Sequence, residues 1–131
     1  MIDGDLLNYL QTYPSLIALL PASKIFLGQA PSTAVMPWLV LEIFPGTRTK
    51  VAATKLEQRN TIRVTVDCGI DKKVAGRNII EQALQALDFY RGSIYSVNDA
   101  YVECGSIGLT MALNNVYKYS FSASMRFMEN M

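Results

Sequence analysis

From Tyr117 to Phe127 the chain alternates without a fault. Tyr117, Tyr119, Phe121, Ala123, Met125 and Phe127 fall on one side, and Lys118, Ser120, Ser122, Ser124 and Arg126 on the other. A period of two is an extended strand with one dry and one wet face. Strands of parallel sheets are covered on both faces and read as continuous apolar runs. The pattern therefore predicts an α+β fold: a mainly antiparallel sheet of about four to five strands, with helices packed on one face. It argues against a doubly wound core, and it turns attention to what the open face of the sheet touches.

The 131 residues suit a single domain spanning residues 1–131, and half of them are hydrophobic, enough for a core without staples. Lys plus Arg number 12 and Asp plus Glu 11, so no global field draws in nucleic acid or membrane. There is no histidine, which removes the commonest general base and metal ligand. Cys68 and Cys104 lack the paired spacing of a zinc site and read as reduced core thiols. The carboxylates are scattered. No enzyme, metal or cofactor reading follows from these residues. No apolar stretch is long enough to span a bilayer, and the start of the chain lacks the features of a signal segment, so a reducing, soluble setting is expected.

Along the chain, Asp3 opens a first helix, and a short second helix covers Ser15 to Leu20. Lys24–Leu27 is a short strand. Trp38–Phe44 is the most apolar strand, with Leu39, Leu41 and Ile43 on one face and Trp38, Val40 and Glu42 on the other. Residues 45–58 have no usable period and read as a long polar loop. Asn60–Cys68 alternates cleanly. Asp71 is expected to cap the longest helix, about Lys72 to Phe89, whose apolar face is Ala75, Gly76, Ile79, Ile80, Ala83, Leu84 and Leu87. That face should rest on Leu39, Leu41, Ile43, Val64 and Phe121. Residues 93–100 read as a turn-rich connection. Val102–Leu113 is a weaker strand bent at Gly105 and Gly108, and Asn114–Asn115 is a tight turn into the final strand.

Two groups stand out as candidate protein-interface residues. Arg48, Lys50, Lys55 and Arg59 form the main basic cluster, read either as a docking arm or as a solvated hairpin loop. No aromatic residue is interleaved with them, which weakens a base-stacking role. Trp38 and Val40 are apolar residues on an otherwise wet sheet face, which invites a protein partner. The segment Gly105-Ser106-Ile107-Gly108 lacks the helix start a phosphate loop needs, and reads as a bulge. Tyr13, Tyr90, Tyr95 and Tyr101 are interface anchors or rim-packed core residues. Lys118 and Arg126 either bind phosphate or keep a strand soluble.

The order and spacing of the segments carry a resemblance. A helix precedes SKIFLGQAPSTAVMPWLVLEI (Ser23–Ile43), then a polar loop, then NTIRVTVDCGIDKKVAGRNIIEQALQAL (Asn60–Leu87) and YKYSFSASMRF (Tyr117–Phe127). This string resembles the tail-completion family of long-tailed bacteriophages, the tail-terminator or tail-to-head joining proteins. The resemblance implies a hexameric ring that caps the tail tube, ends its growth and joins tail to head connector. Its implied partners are further copies of itself, the tail-tube protein and the head-side connector or stopper, with DNA passing through the lumen without specific binding. It would be made in the bacterial host cytoplasm and located in the neck of the virion. On that reading the 48–59 segment is a docking or ring-to-ring contact, and Trp38 with Val40 lies near a protomer interface. The alternatives are another ring of the particle, a tube subunit or head-side stopper, or a cellular module holding a peptide on its open sheet.

Overall fold

A computed structural model describes residues 2–95, 97–112 and 115–130. Helix α1 (Ile2–Gln11) and the single turn α2 (Pro14–Ile17) lead into β1 (Ile25–Leu27). Strands β2 (Trp38–Ala52) and β3 (Lys55–Gly69) precede helix α3 (Lys73–Leu87), and β4 (Arg91–Ile94), β5 (Val97–Cys104), β6 (Gly108–Ala112) and β7 (Val116–Asn130) follow it. The strands form one sheet in the order β1-β2-β3-β7-β5-β4, with β6 also paired to β7. All pairings are antiparallel except β1 with β2. The sheet is thus mainly antiparallel but larger than the four to five strands the sequence suggests.

Three expectations are corrected. Residues 45–58 are not a loop, because β2 and β3 stay paired to Ala52 and Lys55 and form one long hairpin. Residues 93–100 are not a plain connection, because β4 and β5 make a second hairpin. Asp71 does not cap α3; it lies in a single 3-10 turn (Ile70–Lys72) before the helix, and no side-chain cap bond is made. The expected bend at Gly105 is present: β5 and β6 run in line along the same edge of β7, and the Gly105 N–H donates to the Ser122 carbonyl at 2.8 Å across the break. The Asn114–Asn115 turn lies in part outside the described residues; Asn115 itself has φ +60°.

One face of the sheet carries the core. Leu39 and Leu41 on β2, Ile62, Val64, Val66 and Cys68 on β3, and Tyr119, Phe121, Ala123, Met125 and Phe127 on β7 are all buried. Leu6, Leu10, Leu16 and Leu20 join them in one cluster with Ile79, Ile80, Ala83, Ala86 and Leu87 of α3. Each buried Leu, Ile, Val, Phe or Met among them contributes roughly 1.5–3 kcal/mol. In α3, Ala86 takes the buried role expected of Ala75, which is exposed. The helix lies against β3, β7 and β5 rather than β2. Its approach to β3 is close enough that Gly76 faces the Cys68 sulfur directly.

Candidate functional site

The β2–β3 hairpin is the first candidate. All nine residues from Phe44 to Ala52 are exposed, so β2 runs on past its core contacts for about 30 Å of strand. A break in register between Pro45 and Arg48 inserts an extra residue near the base of this arm. Asn60, buried among apolar neighbours, holds that base: its Oδ1 accepts from the Gly46 N–H and from Gln58 Nε2, both at 3.3 Å. Glycine is required at 46 because a Cβ there would overlap the Arg59 carbonyl. The bulge also shifts the alternation. Arg48 and Lys50 stand opposite Gln58 and Leu56, on the face that continues the core, whereas Lys55 and Arg59 belong to the other face.

The four cations of the cluster are therefore not one patch. Arg48 pairs with Glu129 at 2.9 Å and Arg59 with Glu57 at 2.7 Å, and both arginines are solvent-exposed, so the bridges orient more than they stabilise. Lys50 and Lys55, near the tip, have no ion-pair partner among the described residues. Arg63, on the open face below, sits over the Phe44 ring at 5.5 Å.

Trp38 and Val40 are less open than their position on the wet face suggests. Val40 is only 9% exposed, flanked in the sheet by Phe26 and Thr65. Trp38 is half-buried, and its indole N–H donates to Asp67 Oδ2 at 2.9 Å. Lys118 Nζ donates to Asp67 Oδ1, also at 2.9 Å. Asp67 is 7% exposed, a carboxylate held between β2 and β7 by two donors. A cleft of about 390 Å³ opens beside this triad, walled by Gly28–Ala30 on one side and by Glu42, Arg63 and Thr65 on the other. The alternation of Asn60–Cys68 sets Asp67 on the wet face; its partners come from strands 29 and 51 residues away and leave no local signal.

A second cleft, of about 400 Å³, lies between α3 and β6, lined by Lys73, Arg77, Glu81, Ile107, Leu109 and Tyr119. Arg77 is already paired with Glu81 at 3.1 Å. The thiols are unsuited to nucleophilic work. Burial, then the charges of Asp67 and Asp71, raises the Cys68 pKa; burial and then Asp88 push Cys104 up to about 12. Among the described residues no three His, Cys, Asp or Glu side chains gather in a way that could hold a metal.

Comparison with known proteins adds three findings. A family model described as tail completion protein gp17 matches residues 4–104. A chain of the solved virion of a native gene transfer agent particle has the same fold, with a TM-score of 0.75 at 9% identity over 98% of this chain and 95% of that one. A second solved structure aligns with a TM-score of 0.56 at 12% identity over 97% of this chain and 96% of its own. Among curated proteins there is no sequence match.

Proposed function

The chain belongs to the tail completion protein gp17 family and is a structural component of a phage tail, and we propose that it forms a closed ring capping the tail tube. In this reading the ring, a hexamer, ends tube growth and joins tail to head connector in the neck of the virion. DNA passes through its lumen. The protein is made in the host cytoplasm and does no chemistry of its own. A net charge of +1 suits a channel that should not retain DNA, because phosphate binding strengthens with each cation engaged.

The observation that carries this reading is the β2–β3 arm. A paired strand of about 30 Å, exposed on both faces and held by a buried Asn60, is a feature the core does not need. A ring that must seat on one ring and receive another needs such an extension, and head-to-tail contacts that close on themselves generate the ring. Lys50 and Lys55, without partners near the tip, are the docking contacts, with Arg48 beside them. The protomer interface falls at the segment from Gly28 to Pro37, next to Trp38 and Val40.

The test combines the variant Arg48→Ala/Lys50→Ala/Lys55→Ala with native mass measurement and imaging. The wild type should give a closed ring, alone or on isolated tail tubes. The triple variant should keep the wild-type fold and lose joining. Normal joining by the variant would remove the arm from the docking contact, and open-ended tubes from the wild type would replace the terminator reading with that of a tube subunit.

A further inference from the structure

One row of side chains crosses the open face at right angles to the strands. Arg59 on β3 stands opposite Arg126 on β7, Arg126 opposite Tyr101 on β5, and Tyr101 opposite Arg91 on β4. With strands about 4.8 Å apart, the row packs three guanidiniums and a phenol into about 15 Å. Arg91 and Arg126 both lie over the Tyr101 ring, at 4.5 and 5.1 Å from its centroid. A guanidinium held over a ring by its charge still has N–H donors for a further partner. Neither arginine makes a hydrogen bond or ion pair with any described residue. Arg59 and Arg126 are like charges directly opposed across the sheet; Glu57 already offsets Arg59, whereas Arg126 has no ion pair with any described residue.

The charges present specify the anion. Within the row and the positions next to it, three guanidiniums face two carboxylates, Glu57, bound to Arg59 at 2.7 Å, and Glu103, opposite Ser124 on the adjoining row; Lys55 and Arg63 stand further along the same face of β3. One positive charge is left over. Beside it is a cleft of about 150 Å³ bordered by Arg59, Tyr101, Glu103, Ser124 and Arg126. That space suits one or two carboxyl groups rather than a run of phosphates laid along the same face. The geometry points to a docking site for a carboxylate side chain from an acidic segment of a protein partner. Arg126 supplies the paired N–H donors that match a carboxylate, Ser124 adds a hydroxyl, and Arg91 fixes the Tyr101 ring. This inference stands whether or not the ring proposed above forms.

The experiment uses the full chain and a fluorescein-labelled hexaglutamate peptide, followed by anisotropy at low and physiological salt. The wild type should bind saturably and more weakly as salt rises. Arg126→Gln should weaken binding by about tenfold or more, Arg91→Gln should weaken it less, and Glu103→Gln should strengthen it. Lys50→Gln, on the opposite face of the arm, should leave it unchanged, and an unchanged far-UV spectrum and Tm for each variant shows that the fold is intact. The proposal is overturned if hexaglutamate does not bind, or if Arg126→Gln and Lys50→Gln weaken it equally. It is also overturned if duplex DNA of equal charge binds more tightly than the peptide and loses that affinity in Arg126→Gln, which would make the row a phosphate site.

Discussion

Replacing Gly76 by Ala tests the closest approach in the fold, that of α3 to β3. An added Cβ at 76 would overlap Cys68 Sγ, lie 3.1 Å from Cys68 Cβ and meet Tyr119 Cδ2 at 3.5 Å. Cys68 is completely buried, and its thiol points at the Tyr117 carbonyl at 3.7 Å, so the sulfur has little room to turn away. Overpacking of this kind costs about 1–3 kcal/mol. Against it stands the helix preference of Ala over Gly, about 0.8–1.0 kcal/mol in a helix interior. The net expectation is a loss of up to about 2 kcal/mol, a fall in Tm of up to about 8 °C for a chain of this length. Cys68→Ala alone should cost about 1 kcal/mol through lost burial. In the double variant the new methyl occupies the space the sulfur leaves, so its cost should be smaller than the two single costs added, with a coupling of about 1–2 kcal/mol. Urea unfolding of all four proteins at two concentrations separates this coupling from any stabilisation by self-association. If Gly76→Ala stabilises by its full helix preference and is additive with Cys68→Ala, the helix does not sit where the structure puts it.

Gly46→Ala should break the arm while sparing the core, because the clash is with the Arg59 backbone; amide exchange should speed up across residues 46–59 and stay slow in Ile62–Cys68. Asp67→Ala should cost about 2 kcal/mol, since it strands the Trp38 indole N–H, and should change Trp38 emission, whereas Asp67→Asn retains an acceptor and should cost less; equal losses would show that the hydrogen bond is not made. Tyr9, which donates to the Ala86 carbonyl at 2.7 Å, has its pKa pushed up to about 12 by burial and then by the Tyr90 and Tyr13 hydroxyls. A group whose folded pKa is raised contributes stability that is present below its ordinary value, 10.0, and lost as pH climbs towards 12. Tm should therefore fall over that window, and Tyr9→Phe should fall less steeply; parallel curves would refute the assignment. Cys104 is shifted in the same direction, so at pH 8 its reaction with a disulfide reagent should be at least about a hundredfold slower folded than in urea.

What the sequence showed well lies where a single face is packed. In β7 and in β3 from Asn60 to Cys68, every second side chain meets the core, so alternation is enforced and visible. Burial of Cys68 followed from the same phase. The arm was hidden for the converse reason. From Phe44 to Ala52 neither face of β2 is covered, and between Lys55 and Arg59 β3 has no buried residue, so nothing selects an alternating pattern there. The bulge at Pro45–Arg48 then shifts whatever phase remains. Strand β4 is short and exposed except for Ile94, so it too carries no alternating pattern. Trp38 and Val40 lie on the face that alternation assigns them, but Val40 is flanked by Phe26 of β1 and the Trp38 indole is tied to the Asp67 carboxylate, 29 residues on.

The residues that give the open face its chemistry belong to a different order of information. Period along a strand is set by the pleat and can be read from neighbours in the chain, whereas identity across strands depends on register, which long-range pairing fixes. Nothing in the sequence ties Arg59, Tyr101, Arg91 and Arg126 together, and the basic segment 48–59 shows no interleaved aromatic residue because those beside it, Phe127 opposite Gln58 and Tyr101 beyond it on β5, come from other strands. Register also divides that segment, sending Arg48 and Lys50 to one face and Lys55 and Arg59 to the other. A cluster of cations counted along the chain is thereby resolved into two structures with separate work: an arm tip carrying unpaired lysines, and a transverse row in which Arg59 joins arginines from two other strands. The two can be separated by mutation, since Lys50 and Arg126 stand on opposite faces. If loss of one function always brought loss of the other, it would be the division by register, and not merely one assignment, that failed.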